Sequence, residues 1–117
     1  MIELDHTIVH ATDRDSSAAF LAGILGLSVG AVTGPFRPVQ VGGVTLDFAR
    51  ASAVSPQHYA FRVDGQTFDA ALARIRASGT GWWADPHRRE PHEVGRRGGS
   101  RAVYFADPDD HSMEIFT

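Results

Sequence analysis

The first half of the chain changes from a strand-like to a helical pattern and back again. From Ile2 to Thr12 the apolar residues are β-branched and interspersed with polar ones, which is typical of a half-buried strand. Small and apolar residues then recur at helical spacing between Asp13, a favourable N-cap, and Gly26. Three short strand-like pieces, separated by glycine and proline, follow at about residues 28–33, 37–41 and 44–49. This half therefore predicts a strand, a helix and three strands.

The second half repeats that order after a small, turn-prone connection at residues 51–56. Strand-like alternation from His58 to Val63 leads into a helical period that ends at Gly79. Further strand-like pieces come at about residues 81–84, 101–105 and 112–116. We therefore predict an α+β fold of two βαβββ modules, at about residues 1–50 and 57–117, within one domain.

Residue spacing supports the duplication. His6 and His58 stand near the start of each copy, 52 residues apart, whereas Asp47 and Glu114 stand in each last strand, 67 residues apart. The second copy is therefore 15 residues longer. The stretch 85–99 is charged, glycine-rich and without period, so it accounts for the excess as an inserted loop. This loop is either a lid that supplies cations to an anionic substrate or an ordinary solvated loop.

Side chains alternate across a strand. In the first and the last strand of each copy, one face is therefore apolar and the other carries an ionisable side chain. The ionisable residues are His6, His58, Asp47 and Glu114. If the two copies curl one sheet, with the apolar faces against outer helices, two imidazoles and two carboxylates converge on the concave side. Charges buried there need partners, and a divalent cation binds both kinds of donor. The pattern therefore predicts a metal site.

Composition narrows the function classes. With 43% hydrophobic residues and a formal net charge of −3, the chain indicates neither disorder nor a surface for nucleic acid. It has no cysteine, which excludes disulfides, thiolate metal sites and a cysteine nucleophile. The start lacks a signal-peptide pattern, and no run reaches the ~20 apolar residues of a membrane span. We expect a cytoplasmic protein that acts without a membrane.

Three segments, LDHTIVHATD, HYAFRV and VYFADPDDHSMEIFT, resemble the opening, middle and terminal motifs of the vicinal oxygen chelate superfamily. This group includes glyoxalases, bleomycin and fosfomycin resistance proteins and extradiol dioxygenases. The resemblance covers nearly the whole chain and implies a glyoxalase-like fold, a cupped mixed sheet with helices on the outer face. It also implies that one histidine from the first strand, one from the fifth and a glutamate from the eighth bind the metal. Those positions are His6, His58 and Glu114.

The resemblance also implies roles for further residues. Asp47 occupies the place of a fourth-strand carboxylate ligand of glyoxalase-like members, but its side chain is one methylene shorter, so it is a fourth ligand or a general base. Glu114 is expected both to bind the metal and to act as a catalytic residue. The donor set suits iron, manganese, nickel, cobalt or zinc. We expect substrate contacts from His10, Arg62, Trp83 and Tyr104.

Some of these assignments have alternatives. His10 shares the face of His6, where a position at the rim is favoured over an acid–base role. Tyr104 stands ten residues before Glu114, as in extradiol dioxygenases, but the histidine that precedes the tyrosine there has no counterpart, which weakens ring cleavage. Because Trp82 and Trp83 are adjacent, we expect one in the core and the other facing the cup. His111, in a turn where Asp110 tolerates positive φ, is expected to serve local structure.

Two function classes remain open. The first is a metal-dependent enzyme whose small substrate chelates a divalent metal through adjacent oxygens: a glyoxalase-like lyase or isomerase, a thiol transferase or a dioxygenase. The second is a bleomycin-resistance-type protein that sequesters an aromatic small molecule without catalysis, for which Phe36, Trp82 and Trp83 are candidate contacts. Resemblance also implies a homodimer. Each site is then built from one chain, or His6 comes from one subunit and His58 with Glu114 from the other.

Overall fold

The computed structural model describes residues 1–117 and divides them into two compact units, residues 1–55 and 56–117. The first unit comprises β1 (His6–Ala11), α1 (Arg14–Leu25), β2 (Phe36–Val41) and β3 (Val44–Arg50). The second comprises β4 (His58–Arg62), α2 (Gly65–Ser78), β5 (Trp82–Trp83), β6 (Gly95–Arg97), β7 (Ser100–Ala106) and β8 (Ser112–Phe116). These elements confirm the α+β class. Neither helix has the length and hydrophobicity needed to cross a membrane.

Both helices end at the predicted glycines, and the first begins after the predicted cap, Asp13; the second begins after Asp64, a cap found in the structure. The Asp13 side chain accepts a hydrogen bond from the backbone N–H of Ser16 at 3.1 Å, and Asp64 accepts one from Thr67 at 2.7 Å. Each bond satisfies a backbone donor that has no partner within the helix. Both helices end at a glycine in the left-handed conformation, Gly26 (φ 72°) and Gly79 (φ 77°). That conformation favours glycine because it has no Cβ.

In the first unit the strands lie in the order β1–β3–β2, with β1 parallel and β2 antiparallel to β3. Val9 and Phe48, from β1 and β3, are fully buried, as are Ala18 and Leu21 from α1. The helix contacts all three strands. The opposite face of β1, with His6, Ile8 and His10, is exposed, so the predicted division into an apolar and an ionisable face is confirmed.

In the second unit the strands lie in the order β4–β8–β7–β5, and β6 also pairs with β7. Strand β4 is parallel to β8, and the other pairs are antiparallel. One face is buried together with Phe68, Ala71, Leu72 and Ile75 of α2; it carries Val103, Phe105, Met113, Ile115 and Trp82. The Arg101 guanidinium lies 4.3 Å from the Phe68 ring centre and donates to Asp69 at 2.7 Å. These contacts join β7 to α2.

Three boundaries predicted from the sequence were wrong. The first strand begins at His6 rather than Ile2, and the side chains of Ile2 and Leu4 are 99% and 65% exposed. The strand predicted at 28–33 is reduced to two isolated bridges, which differ in register by one residue. Strand β2 carries Pro38 opposite this segment, and a proline has no N–H to donate to a ladder. The predicted loop 85–99 contains β6.

Candidate functional site

His58 and Glu114 lie together on the face of the second sheet that is opposite α2. Parallel pairing of β4 with β8 sets Ala60 beside Glu114 and His58 beside Ser112, so the two ionisable side chains share a face. His58 Nε2 lies 3.1 Å from Glu114 Oε1. The Glu114 side chain is 15% exposed and that of His58 is 50% exposed. Two of the three predicted metal ligands are therefore adjacent.

The hydrogen bonds of His58 fix which nitrogen is available to a metal. Nδ1 lies 2.9 Å from the carbonyl oxygen of Ser112, which only accepts, so Nδ1 carries the hydrogen. In a neutral imidazole, Nε2 then presents a lone pair to the carboxylate oxygen of Glu114. Two lone pairs at this distance repel each other unless a proton or a cation lies between them. An outer carbonyl that orients a histidine in this way is typical of metal sites.

The distance between these donors also fits a metal ion. In a six-coordinate ion with bonds of about 2.1 Å, neighbouring donor atoms lie about 3.0 Å apart. The observed separation of His58 Nε2 and Glu114 Oε1 is 3.1 Å. A neutral histidine nitrogen and a carboxylate oxygen are also donors that iron, manganese and zinc accept. The pair therefore fits two neighbouring positions of a six-coordinate ion and needs further ligands to complete the set.

Tyr104 supports the Glu114 carboxylate from the neighbouring strand. It pairs with Glu114 across β7 and β8, and its ring stacks on His58 with centroids 5.9 Å apart and planes at 26°. Burial raises the pKa of the Tyr104 hydroxyl, and the negative charge of Glu114 and a hydrogen bond to it act in the same direction. The hydroxyl therefore keeps its proton at neutral pH and donates a hydrogen bond to the carboxylate.

The two adjacent tryptophans point to opposite faces, as predicted. Trp82 is buried, at 6% exposure, with the Arg76 guanidinium 5.4 Å from its ring centre. Trp83 is half-buried on the face of Tyr104, its cross-strand partner. The Arg88 guanidinium lies 4.6 Å from the Trp83 ring centre. Trp83 therefore adds an aromatic surface to the face that carries His58 and Glu114.

A cavity of about 600 Å³ opens beside Glu114 within the second unit. Its sheet side is formed by Ala102, Tyr104, Glu114 and Phe116, and its other wall by the segment from Ala84 to Arg97. Arg62, another predicted contact, places its guanidinium 4.9 Å from the Phe116 ring centre. The cavity therefore combines an acid, aromatic rings and arginines, and it is large enough for a small organic molecule.

The remaining predicted site residues lie in the first unit. His6 Nδ1 lies 2.8 Å from Asp5 Oδ2, and this hydrogen bond and the charge of Asp5 raise the pKa of His6, with a smaller contribution from Asp47. Since Asp5 accepts at Nδ1, the Nε2 of His6 is available to a metal, as in His58. His10, two positions beyond Ile8, is exposed. Neither unit by itself brings three metal-binding side chains together.

Solved structures of known proteins identify the group to which the chain belongs. The oxidase ChaP-H1 is 55% identical in sequence, with a TM-score of 0.96, and the match covers 100% of this chain and 96% of that one. This chain belongs to the vicinal oxygen chelate superfamily. A second oxidase of this superfamily, ChaP-H2, is 48% identical with a TM-score of 0.96, covering 99% of this chain and 93% of that one.

More distant members of the vicinal oxygen chelate superfamily share the fold. A variant of the fosfomycin resistance protein FosX from Listeria monocytogenes, solved with Mn(II) and 1S,2S-dihydroxypropylphosphonic acid, has a TM-score of 0.74 at 23% identity. That match covers 98% of this chain and 90% of that one. The glyoxalase-like fold predicted from the sequence is therefore confirmed. No protein-family model matches the sequence, and no curated protein does.

Sequence reasoning missed part of this candidate site. Phe116 lines the cavity because it has the same strand parity as Glu114, a signal that was present in the sequence. Arg97 also lines it, but its strand, with the sequence GRR, has no strand-like period that predicts it. The turn before β8 agrees with expectation: His111 is buried and its Nδ1 accepts from the backbone N–H of Gln57 at 2.9 Å, and Asp110 has a φ of 66°.

Proposed function

We propose that this vicinal oxygen chelate protein is a metal-dependent oxidase whose small substrate carries two adjacent oxygen atoms, with dioxygen as the oxidant. The observation that carries the proposal is the pair of His58 Nε2 and Glu114 Oε1, 3.1 Å apart beside a cavity of about 600 Å³. The high identity to ChaP-H1 and ChaP-H2, both named oxidases, supports oxidation over lyase, isomerase or thiol-transfer chemistry.

The metal is proposed to bind His6, His58 and Glu114, with Asp47 as a fourth ligand or a general base. When bound, it would hold both substrate oxygens and stabilise the negative charge that develops on them. An oxidase also needs a metal that exchanges electrons, which favours iron, manganese or cobalt over zinc. The ligand nitrogens are positioned by the oxygen acceptors at their Nδ1 atoms, Ser112 O and Asp5 Oδ2.

The other residues of the site are proposed to orient the substrate. Tyr104 holds the Glu114 carboxylate through its hydroxyl, and its ring stacks on His58. Phe116, which lines the cavity, and Trp83, half-buried on the same face of the sheet, offer apolar surface to a flat ligand. Because the metal donors are divided between the two units, we also propose that the protein functions as a homodimer.

The proposal is tested by the metal content of protein purified without an affinity tag and reconstituted anaerobically with iron(II). We expect about one iron per chain in the wild type and a loss of at least ten-fold in affinity in His58→Ala, since removal of one ligand weakens a site strongly. His87→Ala, which removes an exposed loop histidine, is the matched control. Oxygen uptake with catechol-type probes is then compared among the three proteins.

Retention of stoichiometric metal by His58→Ala would contradict the ligand assignment. A wild type that binds none of the candidate metals would contradict the enzyme proposal as a whole. The aromatic surface of Trp83, Tyr104 and Phe116 then favours the second candidate, sequestration of an aromatic small molecule. In that case Trp83→Ala weakens capture of an aromatic probe, measured by calorimetry, while added metal has no effect.

A further inference from the structure

The segment that forms the outer wall of the cavity is held in place by many hydrogen bonds. Asp85 Oδ1 accepts from the backbone N–H groups of Arg89 and Glu90 at 2.9 and 2.8 Å. One backbone bond closes the segment on itself, from Ala84 N to Glu90 O at 2.9 Å, and another ties it to β5, from His92 N to Trp82 O at 3.0 Å. The wall is therefore an ordered part of the cavity rather than a purely solvated loop.

The β6–β7 hairpin then determines which arginine faces Glu114. Arg96 pairs with Arg101, whose guanidinium lies on the α2 side of the sheet. Arg97 pairs with Ser100, and Gly95 with Ala102, so these belong to the opposite face, which carries Tyr104 and Glu114. The positive charge of Arg97 acts on the Tyr104 hydroxyl. Strand parity therefore assigns Arg97 to the Glu114 face.

Gly95 permits this arrangement. A Cβ atom at Gly95 would lie 2.6 Å from the carbonyl oxygen of Ala84 and 3.4 Å from that of Ala102. Both are backbone atoms, so no side-chain rotation would relieve the contact. The glycine lets β6 approach the end of β5 closely, and this approach brings Arg97 to the cavity.

Three of the six other charged residues that line the cavity have partners within the chain, and a fourth, Arg96, belongs by strand parity to the α2 side of the sheet. Arg101 donates to Asp69 at 2.7 Å, and Asp85 accepts from backbone N–H groups. Glu114 is engaged by His58 and Tyr104. The Arg97 guanidinium has no hydrogen bond or ion pair within the chain, and the loop acids Glu90 and Glu93, which also line the cavity, are exposed and form no ion pair with it.

We propose that Arg97 binds a carboxylate of the substrate, so that the site selects a small organic acid over a neutral molecule with the same two adjacent oxygens. Between the two polar ends, Ala102, Tyr104 and Phe116 offer apolar surface to the body of such a molecule. A guanidinium suits a carboxylate because two of its N–H groups match the two oxygens. The inference rests on the proposed function in one respect only, the binding of the two adjacent oxygens to the metal.

Two probes separate the carboxylate from the chelating oxygens: catechol, and 3,4-dihydroxybenzoate, which adds one carboxylate. Their dissociation constants are measured by calorimetry on the manganese-loaded protein without oxygen. We expect the acid to bind about tenfold more tightly than catechol, the effect of a charged hydrogen-bonded pair. In Arg97→Gln this preference disappears and catechol binds as before. Arg89→Gln, which neutralises an exposed arginine of the same segment, keeps the preference.

An equal preference in the wild type and Arg97→Gln, or no preference in the wild type, overturns the inference. If neither probe binds, the proposed chelation fails, and the carboxylate site is tested alone with benzoate on the metal-free protein. Saturable benzoate binding, followed by NMR chemical shifts and weakened at least fivefold in Arg97→Gln but not in Arg89→Gln, would uphold the role of Arg97. Binding that is absent or indifferent to Arg97 would overturn it.

Discussion

The carboxyl group of Asp107 is buried with only one of its two oxygens hydrogen-bonded. Oδ1 accepts from the backbone N–H groups of His111 at 2.8 Å and Asp109 at 3.0 Å, whereas Oδ2 has no partner. Burial raises the pKa of this carboxyl group, against the opposing effect of those hydrogen bonds and of His111. The folded chain therefore holds this proton to a higher pH than the unfolded chain does.

This raised pKa predicts a pH dependence of stability. A carboxyl group with a raised folded-state pKa ionises first in the unfolded chain, so its contribution to stability falls as pH rises from about 4 through the folded-state pKa. Asp107→Asn removes the ionisation and keeps an oxygen acceptor. We expect its free energy of unfolding, relative to the wild type, to increase across that pH range, as measured by urea denaturation. A pH-independent difference, equal to that of the exposed Glu3→Gln control, would contradict the burial argument.

The shared strand face of the candidate ligands was easier to predict from the sequence than the hydrogen bonds that each one makes. His58 and Glu114 share a face because of strand parity, which the sequence contains. The tautomer of His58 depends on the Ser112 carbonyl oxygen, which lies 54 positions away and meets it only through parallel pairing. Asp107 was missed for a similar reason, since its burial depends on the packing around the turn. Residue types limit the chemistry that a site can perform, and tertiary contacts determine the tautomer and the burial of each residue.

At the scale of elements, local signals predicted the helices better than the strands. The aspartate caps and the closing glycines act within one turn of the chain, so both helices end where expected. Strand β6, with the sequence GRR, has no apolar residue and exists because β7 offers a free edge. The strand predicted at 28–33 does not form for the opposite reason. Its partner strand β2 carries Pro38, which has no N–H to donate a hydrogen bond to it. Strands need partners that a local pattern does not identify.

The close approach at Gly95 gives a prediction for β6. In Gly95→Ala the new Cβ must displace the Ala84 carbonyl, since the unrelaxed distance is 2.6 Å. We expect a loss of about 1–3 kcal/mol in the free energy of unfolding, the usual cost of overpacking, together with loss of the preference for 3,4-dihydroxybenzoate. Gly99→Ala is the control, because its Cβ would meet nothing within 4 Å. Equal stability of the two variants by chemical denaturation would show that β6 does not need the glycine.

At the scale of the whole molecule, the duplication was visible in the spacing of the sequence, but the assembly was not. His6 and Asp47 belong to the first unit, and His58 and Glu114 to the second. Each unit therefore holds an incomplete set of metal donors. How two sets combine depends on surfaces between chains or units, for which a single sequence has no periodic signal. Exposed apolar residues offer the best indication, and Ile8, on the face of His6, is 45% exposed in the single chain.

We expect His6 to serve the metal site of a partner chain, because a second chain would both cover Ile8 and complete the donor set. The test mixes His6→Ala and His58→Ala chains by co-refolding. If sites are shared between chains, each mixed dimer has one site with both histidines intact and one with neither. Random pairing then restores about a quarter of the wild-type metal content.

Pairs of variants within one unit provide the control for this experiment. His58→Ala mixed with Glu114→Ala restores no metal in either arrangement, because both changes fall in the same donor set. If each site is built from one chain, the mixture of His6→Ala and His58→Ala also restores none, since every chain then lacks one ligand. Metal recovery in the first mixture alone therefore distinguishes a site shared by two chains from one completed within a single chain, without reference to the substrate.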